Sequence, residues 1–583
     1  MSRRWILPVS VTVLTVICFL PALTGSFLNW DDNVNFLENT AYRGLGPAQI
    51  RWAFTSVLFG HYIPLTRLTW SLNYVLGGMD PRGYHLVSLL LHAGNALLVY
   101  VVARRLLAAA DDDGAQTTRS ERDVTVAAAL AALVFGLHPL RVEPVAWITA
   151  RADLLCGAFA LLAVWLYLRA VDEPPRPRLL LAAAGALAAA LLSKGAALPL
   201  VAALLLLDVY PLRRLRRVGA WALLAEKIPI LLVTLGGTAL VMWALREGAV
   251  INRGAEYGLL ARASVAAYSF VIFPVRFVWP FSLSPLYEMP RTVSVLEPRF
   301  GLALVATALV TTALIVLRRR WPAGLTVWAF SALMLAPASA AVRLGVDLAP
   351  DRYSYLSGLG FAMLAGGAAL GAVRLARRQP LARPVRWAGI VATVVILGGF
   401  GLTSWSFAEV WRDSEPLWRW AVELDPSCSV CHAKLGESAL GGVGGAARAG
   451  EAEGLFRRAI ALRPDLPDAY FNLGTALSVQ GRYREAERPL RTYMELVPYA
   501  PAGPERLGLL YLIQHRYDTA LPLLRAAFIR SPDAPGYRAS LVQALQGRAA
   551  ELRAHGQGVE ADELLAEARV LGPDISAGPS TRP

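Results

Sequence analysis

Between Ile6 and Phe407 the chain alternates long apolar runs with short stretches rich in Arg, Pro and aromatic residues. A hydrocarbon interior offers no water to backbone N–H and C=O groups, so such runs fold as helices that satisfy their own hydrogen bonds. About 20 residues bridge the ~30 Å hydrocarbon core. Only 17% of the 583 residues are charged, where a soluble protein carries about 25%, so a soluble protein of this size is excluded. The formal net charge is +14, and the excess basic residues cluster beside apolar runs: Arg213 to Arg217, Arg318 to Arg320, Arg374 to Arg378 and Arg383 to Arg386. That placement is a positive-inside topology signal. No zinc-finger spacing or RNP-like element accompanies it, so no nucleic-acid partner is expected.

Counted this way, the chain crosses about eleven times. The runs are 6–25, one from about Tyr84, 124–137, 152–168, a hairpin closed at Ser193, Lys194 and Gly195, then 222–244, 300–317, 323–342, 353–373 and 387–407. The run 264–281 is interrupted by Pro274, Arg276 and Pro280 and is expected to lie on, or re-enter, the exterior surface. With the N-terminus cytoplasmic, every basic cluster then falls inside. The expectation is an all-α chain in two parts: a membrane-embedded helical bundle over 1–408, and a soluble, extracytoplasmic helical domain over 409–583. Abundant Ala, Arg and Gly point to a GC-rich bacterial genome, hence to the inner (cytoplasmic) membrane.

Several polar residues interrupt this landscape on the exterior side. Asp31 and Asp32 follow the first run and open a polar, aromatic loop that lasts to about residue 83. Such a pair is either a solvated turn or a general base or metal ligand at the mouth of an intramembrane site. His85 and His92, seven apart, share one helix face. His138, Arg141, Glu143, Arg151 and Asp153 surround Pro139 and Pro144, where broken helix must line protein or water. Lys194 sits alone at an exterior hairpin, either snorkelling or awaiting an anion. Asp351 and Arg352 lie in the last exterior loop. Charged groups gathered in interrupted loops on one surface point to a site.

After Trp411 a 34-residue period sets in. Pro464, Pro498 and Pro532 keep it, as do Gly474 and Gly508, Tyr483 and Tyr517, and Ala486 and Ala520. This is the tetratricopeptide (TPR) pattern of paired helices, about four repeats forming a solenoid whose concave face docks a peptide or protein. Cys428, Cys431 and His432 have the spacing of a haem-attachment motif. In the repeat register, however, Cys431 and His432 fall where Ala469 and Tyr470 sit. Those are packing positions, so two packed cysteines are expected rather than haem or a disulfide.

Leu28 to Asn33, Tyr84 to His92, His138 to Leu155, Ser193-Lys194 and Asp351 to Leu356, in that order and followed by the repeats, resemble the transmembrane and tetratricopeptide-repeat O-mannosyltransferases, members of the GT-C glycosyltransferases. Two departures stand out. The family often has Lys-Glu where this chain has Lys194-Gly195, and Glu-Arg where it has Asp351-Arg352. The resemblance implies a GT-C-like bundle that moves a sugar from a polyprenyl-phosphate donor to a protein hydroxyl at the exterior face. An acidic residue of the first exterior loop would stand at the reaction centre. It leaves a divalent cation open as cofactor.

That chemistry needs a base for the acceptor hydroxyl, for which Asp31 or Asp32 is expected, Asp31 preferred on the pattern alone. It needs cations for the leaving phosphate, for which Lys194 and Arg352 are expected. His138 and Glu143 are expected to orient the base or hold a metal. His85, His92, Arg151 and Asp351 are further candidates. The other readings are transfer to a glycan or lipid acceptor, a membrane scaffold that presents the repeats, and a lipid-linked-sugar transporter. The many crossings argue against a scaffold, and the lack of internal symmetry argues against a transporter.

Overall fold

A computed structural model describes residues 5–110, 120–172, 174–248, 258–338, 346–378, 383–442, 444–532 and 534–572. It divides into two compact units, Met1–Leu417 and Trp418–Pro583. Every regular element among the described residues is helical, apart from two isolated β-bridges.

In the first unit the principal helices are α1 (Ile6–Cys18), α2 (Pro47–Thr55), α3 (Pro64–Gly77), α4 (Pro81–Ala110), α5 (Glu121–Gly136), α6 (Val142–Ala146), α7 (Arg151–Ala170), α8 (Pro177–Ser193), α9 (Leu200–Val209), α10 (Ile228–Glu247), α11 (Leu259–Val278), α12 (Pro298–Leu317), α13 (Pro322–Leu335), α14 (Leu359–Arg378) and α15 (Arg383–Val410). α4 and α7 are enclosed by the others, whereas α10, α12 and α15 keep most of their apolar residues exposed. An apolar surface of that extent belongs against lipid. On α4 the polar side chains His85, Ser88, His92 and Asn95 are all buried. Their spacing of three, four and three residues puts them on one inward stripe.

Among the described residues seven helices are long and apolar enough to cross a bilayer, or eight if α5 and the bent segment Pro139–Ala146 form one span. The expected eleven is not matched among the described residues. The runs at 6–25, 177–209 and 323–342 form shorter apolar helices: α1, α8, Gly195–Val209 and α13. Their sequences are apolar enough, but local chemistry stops them. Pro21 opens the 3₁₀ turn Leu20–Thr24 after α1, and Lys194 takes an extended conformation that ends α8. Thirteen residues of α1 reach only about 20 Å. The segment 264–281 lies largely in α11, a 20-residue helix that meets the length and composition of a crossing. Residues 348–351 run alongside it: Ser269 Oγ donates to the Leu348 carbonyl (3.3 Å) and Arg276 to that of Ala349 (2.6 Å).

The second unit stacks α16 (Ser429–Gly441), α17 (Ala449–Leu462), α18 (Pro467–Val479), α19 (Tyr483–Leu496), α20 (Ala502–Ile513), α21 (Tyr517–Arg530), α22 (Pro535–Ala554) and α23 (Gly558–Leu571) as four antiparallel pairs. The repeat has a steric cause. A Cβ at Gly436, Gly474 or Gly508 would come within 2.5–2.7 Å of Phe456, Leu490 or Leu524 respectively, so glycine is what lets the paired helices approach. Cys428 and Cys431 are joined in a disulfide at the start of α16 and are fully buried. This corrects the expectation of two packed thiols: one helical turn separates the two, and Cys428 sits at the N-cap where its sulfur also accepts the Cys431 N–H.

Candidate functional site

The two adjacent aspartates part company at the backbone. Asp31 has φ = +64°, a left-handed conformation that Asp tolerates better than most residues. The chain then enters a π-turn, Asn33–Leu37. The flip sends Asp32 inward and leaves Asp31 half-buried. Asp32 is completely buried. Its Oδ1 accepts from the Thr149 hydroxyl (2.6 Å) and N–H (3.1 Å), and its Oδ2 from the Leu28 N–H (3.0 Å). Asn35 also donates to the Thr149 hydroxyl, and the Trp147 indole N–H to the Trp30 carbonyl at 2.8 Å. Asp32 thus fastens the first loop to residues 147–149, and its oxygens are occupied by that task. Burial pushes its carboxyl up to about 7 despite those hydrogen bonds.

The break after α5 supplies the next groups. Pro139 and Pro144 interrupt the helix, and α6 presents Glu143 to Arg352. The carboxylate pairs with the Arg352 guanidinium and also accepts the Arg352 N–H at 2.8 Å. Arg352 then lies over the rings of Trp147 (5.2 Å) and Tyr353 (5.3 Å). Beyond Tyr353 the Lys194 ammonium stands 6.0 Å from that ring and 2.6 Å from Asp153 Oδ2. Hence the Asp31–Asp32 turn, Trp147, Arg352 with Glu143, Tyr353, and Lys194 with Asp153 form one continuous patch. A Cβ at Gly195 would meet the Val241 side chain at 2.8 Å, so the glutamate often found there in the resembling family would need that side chain to move.

A second charge cluster adjoins the first through Arg352, 3.6 Å from Asp347. Asp351 pairs with Arg276 of α11 at 3.0 Å, and the Tyr287 hydroxyl donates to Asp351 at 3.3 Å. Three buried carboxylates (Glu143, Asp347, Asp351) face two guanidiniums. Burial pushes Asp347 and Asp351 each up to about 7, with Arg352 and Arg276 pulling the other way. Sequence reasoning gave Arg276 no functional place; an Arg inside an otherwise apolar helix was the available signal.

The remaining candidates belong to the framework. Arg151 donates to Asn73 (2.6 Å) and to the Tyr84 carbonyl (2.8 Å), tying α7 to α3 and α4. His92 bridges the Tyr355 hydroxyl and the Gly136 carbonyl, both at 3.0 Å. His85 is buried against Gly25. His138 does not stand ready for a metal: Nε2 donates to the Phe277 carbonyl (2.8 Å), Nδ1 accepts from the Leu140 N–H (3.2 Å), and the ring stacks on Phe277. Glu143 is held by Arg352. Among the described residues no group of three or more His, Cys, Asp or Glu side chains is set to hold a metal.

Residues 455–488 match the family model "Tetratricopeptide repeat". The chain is 33% identical over 172 residues to the human protein O-mannosyl-transferase TMTC4, covering 27% of this chain and 22% of that protein. To the Drosophila melanogaster protein O-mannosyl-transferase Tmtc3 it is 35% identical over 122 residues, 20% of this chain and 13% of that one. Over those segments the chain is similar to protein O-mannosyl-transferases. It spans about a fifth or less of their length, and these relatives are animal proteins, whereas composition points to a bacterial genome for this chain. A crystal structure of MamA aligns with 27% of the chain at 18% identity and a TM-score of 0.23, too remote to argue from.

Proposed function

We propose that this protein transfers a sugar from a polyprenyl-phosphate donor to a hydroxyl of a protein acceptor, at the membrane face that carries Asp31, Arg352 and Lys194. The observation that carries the reading is their union in one patch from segments more than 300 residues apart, rigidly braced by Asp32 and Glu143. The partial likeness to protein O-mannosyl-transferases supports the same class and makes mannose the first sugar to test. Asp31 takes the acceptor proton as the acceptor oxygen bonds to the anomeric carbon. The bond from that carbon to the phosphate oxygen breaks, and polyprenyl phosphate leaves. Arg352 and Lys194 offset the phosphate charge. Each is already neutralised by a carboxylate, so the pairs hold the cations in place without drawing the donor by net charge. The repeats supply the acceptor's docking surface.

In this reading the patch faces the extracytoplasmic side of the cytoplasmic membrane, with the repeats on that side too. The bonds from residues 348–351 along α11 support a segment that lies in protein at that face, since extended backbone is not tolerated in lipid. The test is transfer in proteoliposomes with a panel of labelled polyprenyl-phosphate sugars and extracytoplasmic extract, beside Asp31→Asn. Label entering protein only with Asp31 intact is expected. Donor consumed with label in glycan would redirect the acceptor, and no consumption of any donor would overturn the reading.

A further inference from the structure

Away from that patch, the membrane unit carries a half-open cavity of about 520 Å³ between α4, α7, α9, α13 and α14. Its volume lies within the ~300–1,000 Å³ of ordinary ligand pockets. The lining runs along α14 from Leu359 to Arg374, sixteen residues and about 22 Å from end to end. Near Leu359 the walls are wholly apolar, with Phe330, Val327 and Leu161. At the other end stand Tyr210, Trp321 and Arg374.

The emptiness is not a by-product of close helix packing. A Cβ at Gly366 would strike the Ala127 carbonyl at 2.8 Å, so that glycine serves the contact with α5. Its neighbours Gly367 and Gly371 line the cavity. A Cβ at Gly371 would meet nothing within 4 Å, and at Gly367 only Leu107 at 3.8 Å. Two glycines one turn apart therefore keep open a space that leucine would fill. The wall opposite is pinned. Asp208 pairs with Lys227 (2.6 Å) and Arg214 (3.0 Å) and accepts from the Tyr167 hydroxyl (2.5 Å), fixing the turn that carries Tyr210 and Pro211.

The mouth is basic. Arg374 lines that end and Arg213, Arg216, Arg217 and Arg318 to Arg320 adjoin its lining segments, while Arg105, Arg214 and Arg377 nearby are paired with Asp172, Asp208 and Asp123. We propose that this cavity holds an acyl chain of an anionic phospholipid, its phosphate among the arginines at the mouth and its tail directed toward the far end of the bundle. The apolar depth selects a lipid chain, and the arginine rim selects a negative headgroup. The polar end lies opposite the Asp31 patch: near its start α7 holds Asp153 beside Lys194, and 14 residues on, near its end, Tyr167 bonds Asp208 of the pinned turn. That separates this lipid from a sugar donor serving the patch.

Native mass spectrometry of the full chain released from nanodiscs of mixed phosphatidylcholine and phosphatidylglycerol tests it without recourse to transfer activity. One phosphatidylglycerol is expected to stay bound in preference to phosphatidylcholine, and melting is expected to rise by several degrees in nanodiscs that contain it. Gly367→Leu/Gly371→Leu should abolish retention and the rise in melting, whereas Gly389→Leu, on α15 with no neighbour within 4 Å of its Cβ, should retain both. Arg374→Gln should remove the headgroup preference while the protein stays folded, which keeps the test alive if the double variant does not fold. Equal retention of the two phospholipids by the unaltered chain, retention unaffected by the leucines, or a polyprenyl lipid in their place would overturn the proposal.

Discussion

Asp31 and Asp32 are one residue apart and make opposite predictions. Asp31→Asn keeps a side chain that accepts the left-handed backbone but removes the base, so transfer should fall by a factor of about 10² or more with melting unchanged. Asp32→Ala leaves the Thr149 and Leu28 donors unpaired in the interior, at about 1–3 kcal/mol each. It should lower melting sharply, and any loss of transfer should track the loss of folded protein. A transfer assay read beside a melting curve separates the two. Asp32, Asp347 and Asp351 also fix a direction for pH. Each is raised from the ordinary 3.8 to about 7 by burial, so the folded chain keeps protons that the unfolded chain has released. Stability should fall as pH rises from about 4 to 7 and then level off; Asp351→Asn should flatten part of that slope in melts across the range. A rise in stability over this window would contradict the buried cluster. None of this division of labour is readable from neighbours in sequence. Thr149 is 117 residues from Asp32, Asp153 is 41 from Lys194, and Glu143 is 209 from Arg352. The residue types announced a site, and only the fold says that Asp32 is bound to Thr149 and Leu28.

The helices differ in how openly their sequences declare them. The solenoid was readable because one steric need recurs every 34 residues: a glycine that receives a large side chain from the paired helix. Gly474→Leu should therefore cost about 1–3 kcal/mol by overpacking against Leu490, seen as a lower melting transition, while Gly450→Ala, with nothing within 4 Å of its Cβ, should leave that transition in place. The turn between helices follows the same register: Gly481 (φ +74°) and His515 (φ +58°), 34 apart, take the same left-handed conformation. The membrane helices were harder to read. Apolar composition marks the segments that avoid water, but it does not give the length of continuous helix. Runs that look alike by hydropathy end after 13 residues in α1 and continue for 30 in α4. The difference lies in Pro21, Lys194 and Pro199, whose backbone demands are local, and in partners that the apolar pattern does not name. Arg276 illustrates the second cause. Its charge argued against an apolar helix, yet Asp351 and the Ala349 carbonyl satisfy it and α11 runs through it unbroken.

For the whole molecule, which face of the membrane meets the repeats can be tested through the cysteines. There are four. Cys18 and Cys156 are free and buried in the membrane unit, and burial in that unit keeps them from reagents until the chain is denatured. Cys428 and Cys431 form a disulfide in the soluble unit. Disulfides persist where the surroundings are oxidising and are reduced in an ordinary cytosol. The bond is therefore expected in native cells only if the repeats lie outside the cytoplasm, on the side proposed for sugar transfer. Cells lysed directly into denaturant with excess alkylating reagent should yield chains modified at two cysteines, and four after reduction, counted by mass. Peptide mapping should place the reduction-dependent pair at Cys428 and Cys431. Four modified cysteines without reductant would put the repeats in a reducing compartment. The acceptor would then have to meet the Asp31 patch from the other side of the bilayer, and the repeats would no longer be able to deliver it. Unchanged melting in Cys428→Ser/Cys431→Ser chains, which keep only Cys18 and Cys156 to modify, would show that the turn before α16 holds without the bond. A drop in melting in that variant, with two cysteines modified in the parent, would join the location of the repeats to their stability.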